Sequence, residues 1–362
     1  MPPRLSQLLS APAARWVIVV LHLAFLFLLY RQHGMHGDKE ALKYLGAAAD
    51  LLHGDPGPTL HRYALYAGYI LFLTPFVAVG LPELAVVAQI TLGITAAFAL
   101  RRLTLRFGGS QVAANAAMAV YLLAYPIQEW TLSLYSEGLF VPLIVLFLEQ
   151  ASRQEYRPWR VGLLAVALLI TRPTGILFVA PALLLLPLLP FHRLHAAWRW
   201  AAVSALLPAM LVAPVMNREQ LAVVAGSHVV CGFPEHPEDA DRFTGRTLAE
   251  AQAFVVRHHG AGYWAGLALR RAASLLHPRR DHFSPLHNGI AAGVVLLHPI
   301  AVLGLWRQRR LPIAHAIAAC LLLNIVLVAL TYDEWGGRFL APLLPLVIVA
   351  AAAITGAAAK RE

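Results

Sequence analysis

Apolar residues fill this chain in long unbroken runs instead of alternating with polar ones. Most of these runs are about 15 to 21 residues long, the length that crosses a hydrocarbon layer as a helix. Taken in order they cover residues 16–30, 84–100, 112–128, 135–149, 161–171, 174–190, 198–216, 286–306, 312–331 and 338–356, which predicts ten membrane spans in a single transmembrane domain over 1–362. Short basic clusters separate them: Arg101, Arg102 and Arg106; Arg153, Arg157 and Arg160; Arg193 and Arg199; Arg307, Arg309 and Arg310; Lys360 and Arg361. With ten spans every cluster falls on the side that attracts positive charge, so both termini are predicted to be cytoplasmic. The first run follows Arg4 and Arg15 but lacks a small-residue cleavage pattern, and it reads as a retained anchor.

Two stretches strain this pattern. Residues 63–80 are apolar enough for an eleventh span, yet a full crossing there would invert every later loop. Tyr63, Tyr66 and Tyr69 and the Thr74-Pro75 interruption suit a juxtamembrane or re-entrant helix. Residues 161–190 must cross twice, so each leg reaches only about 20 Å and the turn Thr171-Arg-Pro-Thr-Gly175 sinks into the membrane. Arg172 at that depth is satisfied either by carbonyls freed at the proline or by an anion on the outer side.

Outside the runs lie two polar regions. Residues 31–62 form a first outer loop in which Ala41, Leu42, Leu45, Ala48, Ala49 and Leu52 recur at helical spacing, predicting a surface helix. Residues 217–284 form a long outer loop with amphipathic helices, one from Thr247 and another from Tyr263 towards Leu276. Thr247-Leu-Ala-Glu250 fits a capping box, which makes Glu250 structural.

Composition agrees with the pattern: 59% of the 362 residues are hydrophobic and 13% charged, too little polar surface for a soluble globule. The net charge of +10, nearly all arginine, is scattered in short loops and not gathered on a soluble face, so nucleic acid is excluded as a partner. Cys231 in a polar region and Cys320 inside an apolar run predict no bridge. Sixteen histidines make chance pairs such as His33 and His36 common, and no ligand set stands out.

The candidate chemistry gathers in a few carboxylates. Asp38, just beyond the first run, has two readings: a carboxylate at the membrane surface that acts on a hydroxyl, or the N-cap of the helix that follows. Glu137, near the outer start of a span, is a catalytic or metal-binding residue or an acid favoured by the helix dipole.

The phrase Asp38-Lys-Glu-Ala-Leu-Lys-Tyr-Leu-Gly-Ala-Ala-Ala-Asp-Leu-Leu-His-Gly54 and Tyr135-Ser-Glu-Gly-Leu-Phe140 resemble the GT-C class of membrane glycosyltransferases. So do Arg172-Pro-Thr-Gly175, Arg338-Phe-Leu-Ala-Pro-Leu-Leu-Pro345 and the loop from Ala251 to Arg271. The nearest patterns are those of protein O-mannosyltransferases and lipid A aminoarabinose transferases. The resemblance implies an all-α fold, a polyprenyl-phosphate-linked sugar as donor and an envelope glycan, lipid or protein as acceptor. It also implies an active site on the outer face of a bacterial inner membrane and inversion at the sugar carbon. Asp38 would be the general base and Glu137 a second catalytic acid. Arg338, Arg172, Arg62 and His61 would meet the donor phosphate, and Tyr44, Glu40, Asp333 and Glu334 the sugar or acceptor. A divalent ion, with Asp38 and Glu137 as its ligands, stays open. So do two other functions: a lipid-linked glycan ligase or polymerase, and a lipid or solute transporter or flippase. Against the transporter stands the lack of an internal repeat.

Overall fold

The computed structural model describes residues 13–37, 40–54, 63–188, 195–212, 235–236, 238–243, 245, 247–277, 279, 284–331 and 337–355. Among these, every regular element is helical. The α-helices longer than one turn are α1 (Ala14–His33), α2 (Glu40–Leu52), α3 (Ala67–Ala78), α4 (Leu84–Arg106), α5 (Gln111–Leu123), α6 (Tyr125–Thr131) and α7 (Ser136–Ala151). They continue as α8 (Pro158–Thr171), α9 (Ile176–Leu185), α10 (Ala196–Val212), α11 (Leu248–Leu276), α12 (Pro285–Arg307), α13 (Pro312–Thr331) and α14 (Leu344–Ala352). Three of them, α1, α4 and α13, are long and apolar enough to cross a membrane. That is the make-up of a helical membrane protein.

Helices α7 and α14 lie at the centre and are buried on nearly all sides. An all-round apolar helix has no polar face to give to water and so packs inside. Helix α4 packs along α7, α5 lies against α4 and α14, and α12 covers α14. Helix α1 is peripheral, with Trp16, Val20, Phe27 and Leu28 exposed.

The predicted runs and the helices differ where proline or arginine decides the boundary. The run 112–128 is two helices, because the chain is extended at Ala124, the N-cap of the second, whose first turn takes Pro126 where a missing N–H breaks no intrahelical bond. Helix α4 continues six residues past the predicted end at 100 and carries its arginines on its last turns. In the predicted span 338–356, regular helix starts only at Leu344, after Pro342. Pro75 does not interrupt α3 as expected; the helix runs through it, and the Thr74 hydroxyl donates to the Ile70 carbonyl at 2.8 Å. At twelve residues α3 is about 18 Å long, short of a hydrocarbon core, and it packs on α2 through Tyr44 and Tyr69.

The predicted capping box is present: Thr247 Oγ accepts from the Glu250 amide and Glu250 Oε2 from the Thr247 amide, both at 3.1 Å. The two helices expected in that loop are both present as the two limbs of α11, which meet at a kink at Gly260, whose φ of 86° only glycine adopts without strain.

The helix ends sort into two groups. Glu137 on α7 lies with Arg172 at the end of α8 and with Arg338 before α14. Twelve residues along α7, about 18 Å away, Glu149 lies with Arg102 and Arg106 of α4 and with Arg153. The α4–α5 and α12–α13 turns meet at this second end, where Gln308 packs on Gly108.

Candidate functional site

The site is built around the first turn of α7. Glu137 is completely buried. Its Oε1 accepts from Arg172 Nη1 at 2.5 Å and from Arg338 Nε, and its Oε2 accepts from the Ser136 hydroxyl at 3.3 Å. A carboxylate this dry is tolerated only because both cations are paired to it and hydrogen-bonded. The helix N-terminus adds its own favourable field. The two arginines are also nearly dry, with side chains 5% and 14% exposed. Aromatic rings flank them: the Arg172 guanidinium lies 5.5 Å from the Phe140 ring and that of Arg338 5.7 Å from Tyr135.

Local sequence explains how each cation arrives. Helix α8 stops at Thr171 because Pro173 forces the preceding residue out of helical geometry, and Arg172 is extended at φ −153°, ψ 143°. Arg338 stands at the start of the turns that precede Pro342 and Pro345.

A second layer holds the loop before α7. Gln89, fully buried on α4, donates through Nε2 to the Thr131 carbonyl at 3.0 Å and the Ser133 carbonyl at 2.9 Å. Its Oε1 accepts from the Tyr69 hydroxyl at 3.0 Å. Residue 138 must be glycine for this, since a Cβ there would stand 2.6 Å from Gln89 Nε2. Gln89 is not among the residues expected from the sequence; its signal there is a lone amide in an apolar run, which needs partners when buried.

The first loop reaches the same place. His36 forms a backbone bridge to Ser133, and the Leu134 amide donates to the His36 carbonyl at 3.0 Å. Further along the sequence, α2 buries Tyr44 against Tyr69, ring centroids 5.2 Å apart, with Tyr63 and Tyr66 beside them. Burial pushes the Tyr44 phenol up, with the negative charges of Glu137 and Glu40 adding and Arg338 opposing. Tyr44 Oη and Arg172 Nε are buried with no hydrogen-bond partner among the described residues.

Of the predicted site residues, Glu137, Arg172 and Arg338 thus converge, with Tyr44 in the adjoining tyrosine cluster. Glu40 turns away to Lys43, 2.7 Å off at the surface. Asp38, His61, Arg62, Asp333 and Glu334 lie outside the described residues. The metal expectation does not fit Glu137 as it stands, because a divalent ion would meet two guanidiniums already on Oε1. Among the described residues no group of three or more His, Cys, Asp or Glu is placed to hold one.

Glu129 on α6 is a second residue not among those expected from the sequence. Its carboxyl is largely buried with Oε2 unpartnered among the described residues, and burial pushes its pKa up to about 7. It lies between the predicted spans 112–128 and 135–149, eight residues before Glu137.

Comparison with protein-family models, with curated proteins and with solved structures finds no significant match to this chain.

Proposed function

We propose that this protein is a GT-C-type membrane glycosyltransferase that moves a sugar from a polyprenyl-phosphate donor to an acceptor hydroxyl or amine. The observation that carries the reading is the meeting of Arg172 and Arg338, two nearly dry cations, beside a backbone bridge that brings the first loop to the same helix. One carboxylate between two buried guanidiniums leaves a positive surplus where water screens little, a setting that favours a phosphate.

The finer topology belongs to the same proposal. Ten crossings would put the Glu149 end in the cytoplasm, in keeping with Arg102, Arg106, Arg153, Arg307, Arg309 and Arg310 gathering there, and would put the Glu137 end outside. The donor's tail stays in lipid while its phosphate reaches Arg172 and Arg338.

In this mechanism Asp38 takes the proton of the acceptor group as its oxygen or nitrogen bonds to the anomeric carbon. The bond from that carbon to the phosphate oxygen breaks, and its electron pair leaves with polyprenyl phosphate. The guanidiniums of Arg338 and Arg172 meet the growing charge, and a single displacement inverts the carbon. Glu137 acts as the positioning residue that holds both guanidiniums before the donor arrives. Arg172 Nε and Tyr44 Oη, buried and unpartnered among the described residues, are the donors left for phosphate and sugar.

The test is sugar transfer from a panel of labelled polyprenyl-phosphate sugars in membranes holding wild type or Asp38→Asn. Wild type should transfer one of them and the variant should lose at least about a hundredfold. Full turnover by Asp38→Asn contradicts the base assignment. Movement of intact donor across the bilayer without transfer supports a flippase instead.

A further inference from the structure

At the end of the bundle opposite Glu137, a cavity of about 140 Å³ opens between the end of α9, the start of α10 and the start of α13. Leu185, Ala196 and Pro312 form its apolar wall, and Arg199, Arg310, His315 and Trp200 bring the polar groups. Trp200 and His315 pack edge to face with ring centroids 5.9 Å apart. His315 Nε2 is engaged by the Arg309 carbonyl at 2.7 Å. Arg199 reaches the Leu185 carbonyl only at 3.5 Å, and its Nε is buried without a hydrogen-bond partner among the described residues.

The charge of this cavity is unusual for a reason already present in the sequence. The residues that line it come from two stretches, 156–218 and 282–332, that contain no Asp or Glu at all. Neither stretch can neutralise its own arginines. At the Glu149 corner of the same end, by contrast, a buried carboxylate gathers three arginines. Two helices, α10 and α13, also begin at the cavity and turn the positive ends of their dipoles towards it.

We propose that this cavity binds a phosphate group, with Arg199 and Arg310 as its cationic ligands and Trp200 beside it. A phosphate fits the volume, offers acceptors to an unpartnered guanidinium N–H and supplies the missing negative charge. The phosphate comes either from the headgroup of an anionic phospholipid or from solution. Both sources present the same chemistry. The site is separate from the sugar-transfer proposal, which concerns the other end of the bundle.

The experiment measures the thermal unfolding midpoint of the full chain in phosphatidylcholine nanodiscs as inorganic phosphate is added, with chloride at matched ionic strength as control. The midpoint should rise with phosphate and not with chloride. In discs containing phosphatidylglycerol, a midpoint raised before any phosphate is added, with the later rise flattened, identifies the lipid headgroup as the source. An undiminished rise identifies free phosphate. Arg310→Gln, at an exposed position, should weaken the effect at least about tenfold, the scale of one lost charge-assisted hydrogen bond. Arg309→Gln should leave it intact, because that guanidinium lies over Trp306, 4.6 Å from the ring centre. The proposal is overturned by a midpoint indifferent to both phosphate and phosphatidylglycerol, or by equal responses in wild type and Arg310→Gln.

Discussion

Helix α7 carries a fully buried glutamate near each end, and the two are treated in opposite ways. Glu149 sits in the last turn, where the helix field disfavours an anion, and three arginines compensate. Those arginines come from α4 and the next turn of chain and remain 32% to 43% exposed, so water shares their charge. Glu137 sits in the first turn, where the field already favours it. It nevertheless holds two arginines that are almost dry, drawn from 35 and 201 residues away. Stability alone calls for more cations at Glu149. The costlier arrangement at Glu137 makes sense if its surplus charge serves an anion that arrives later.

The largest effect separating the two ends is on folding. Glu137→Gln leaves two dry guanidiniums without a counter-charge and should cost about 3–5 kcal/mol, whereas Glu149→Gln should cost about 1 kcal/mol because its partners are solvated. Denaturant unfolding in detergent reads both, and equal losses would remove the distinction. Next comes turnover: Arg338→Gln should lower transfer about a hundredfold or more, while Arg102→Gln at the other end leaves it unchanged. Arg338→Lys should not restore it, since an ammonium lacks the planar fork.

The support layer ranks below these. Gln89→Leu strands the Tyr69 hydroxyl and two carbonyls, and about 2–3 kcal/mol of stability should go with them. Gly138→Ala should give a smaller loss in the same direction, read by the same unfolding curves. The smallest effect is a pH dependence at Glu129, in the connection between two proposed spans. Its folded pKa, about 7, lies above the ordinary carboxylate value of 4.5, so the folded state holds the proton more tightly. Stability from this group is therefore full below about 4.5 and is lost as pH rises through about 7. Glu129→Gln should flatten that slope in midpoints measured from pH 4 to 8, and an unchanged slope would assign it to other groups.

Much of this was legible in the chain. The apolar runs marked where most helices lie, with 312–331 matching α13 end to end, because a helix in lipid must be apolar along its length. Arg172 stood out because an arginine sunk in the membrane beside a proline is costly, and Arg338 because the phrase it opens resembles the GT-C class. That both would meet one carboxylate was less legible, since pairing across 201 residues depends on packing and not on spacing. The role of Gln89 is not legible in the chain, because one amide in an apolar run looks the same whether it braces a loop or faces lipid. Glu149 read as the end of a span and its arginines as topogenic charge, although they form a single cluster.

The central claim, that the Glu137 end carries out sugar transfer, is tested most directly by one assay in reconstituted vesicles. Labelled polyprenyl-phosphate sugar is supplied to wild type, Asp38→Asn and Arg338→Gln, and product is measured after each variant's folded fraction has been matched. The account predicts transfer by wild type and a loss of about a hundredfold or more in both variants. Transfer by both variants at the wild-type rate, or none by wild type with any donor of the panel, would contradict it.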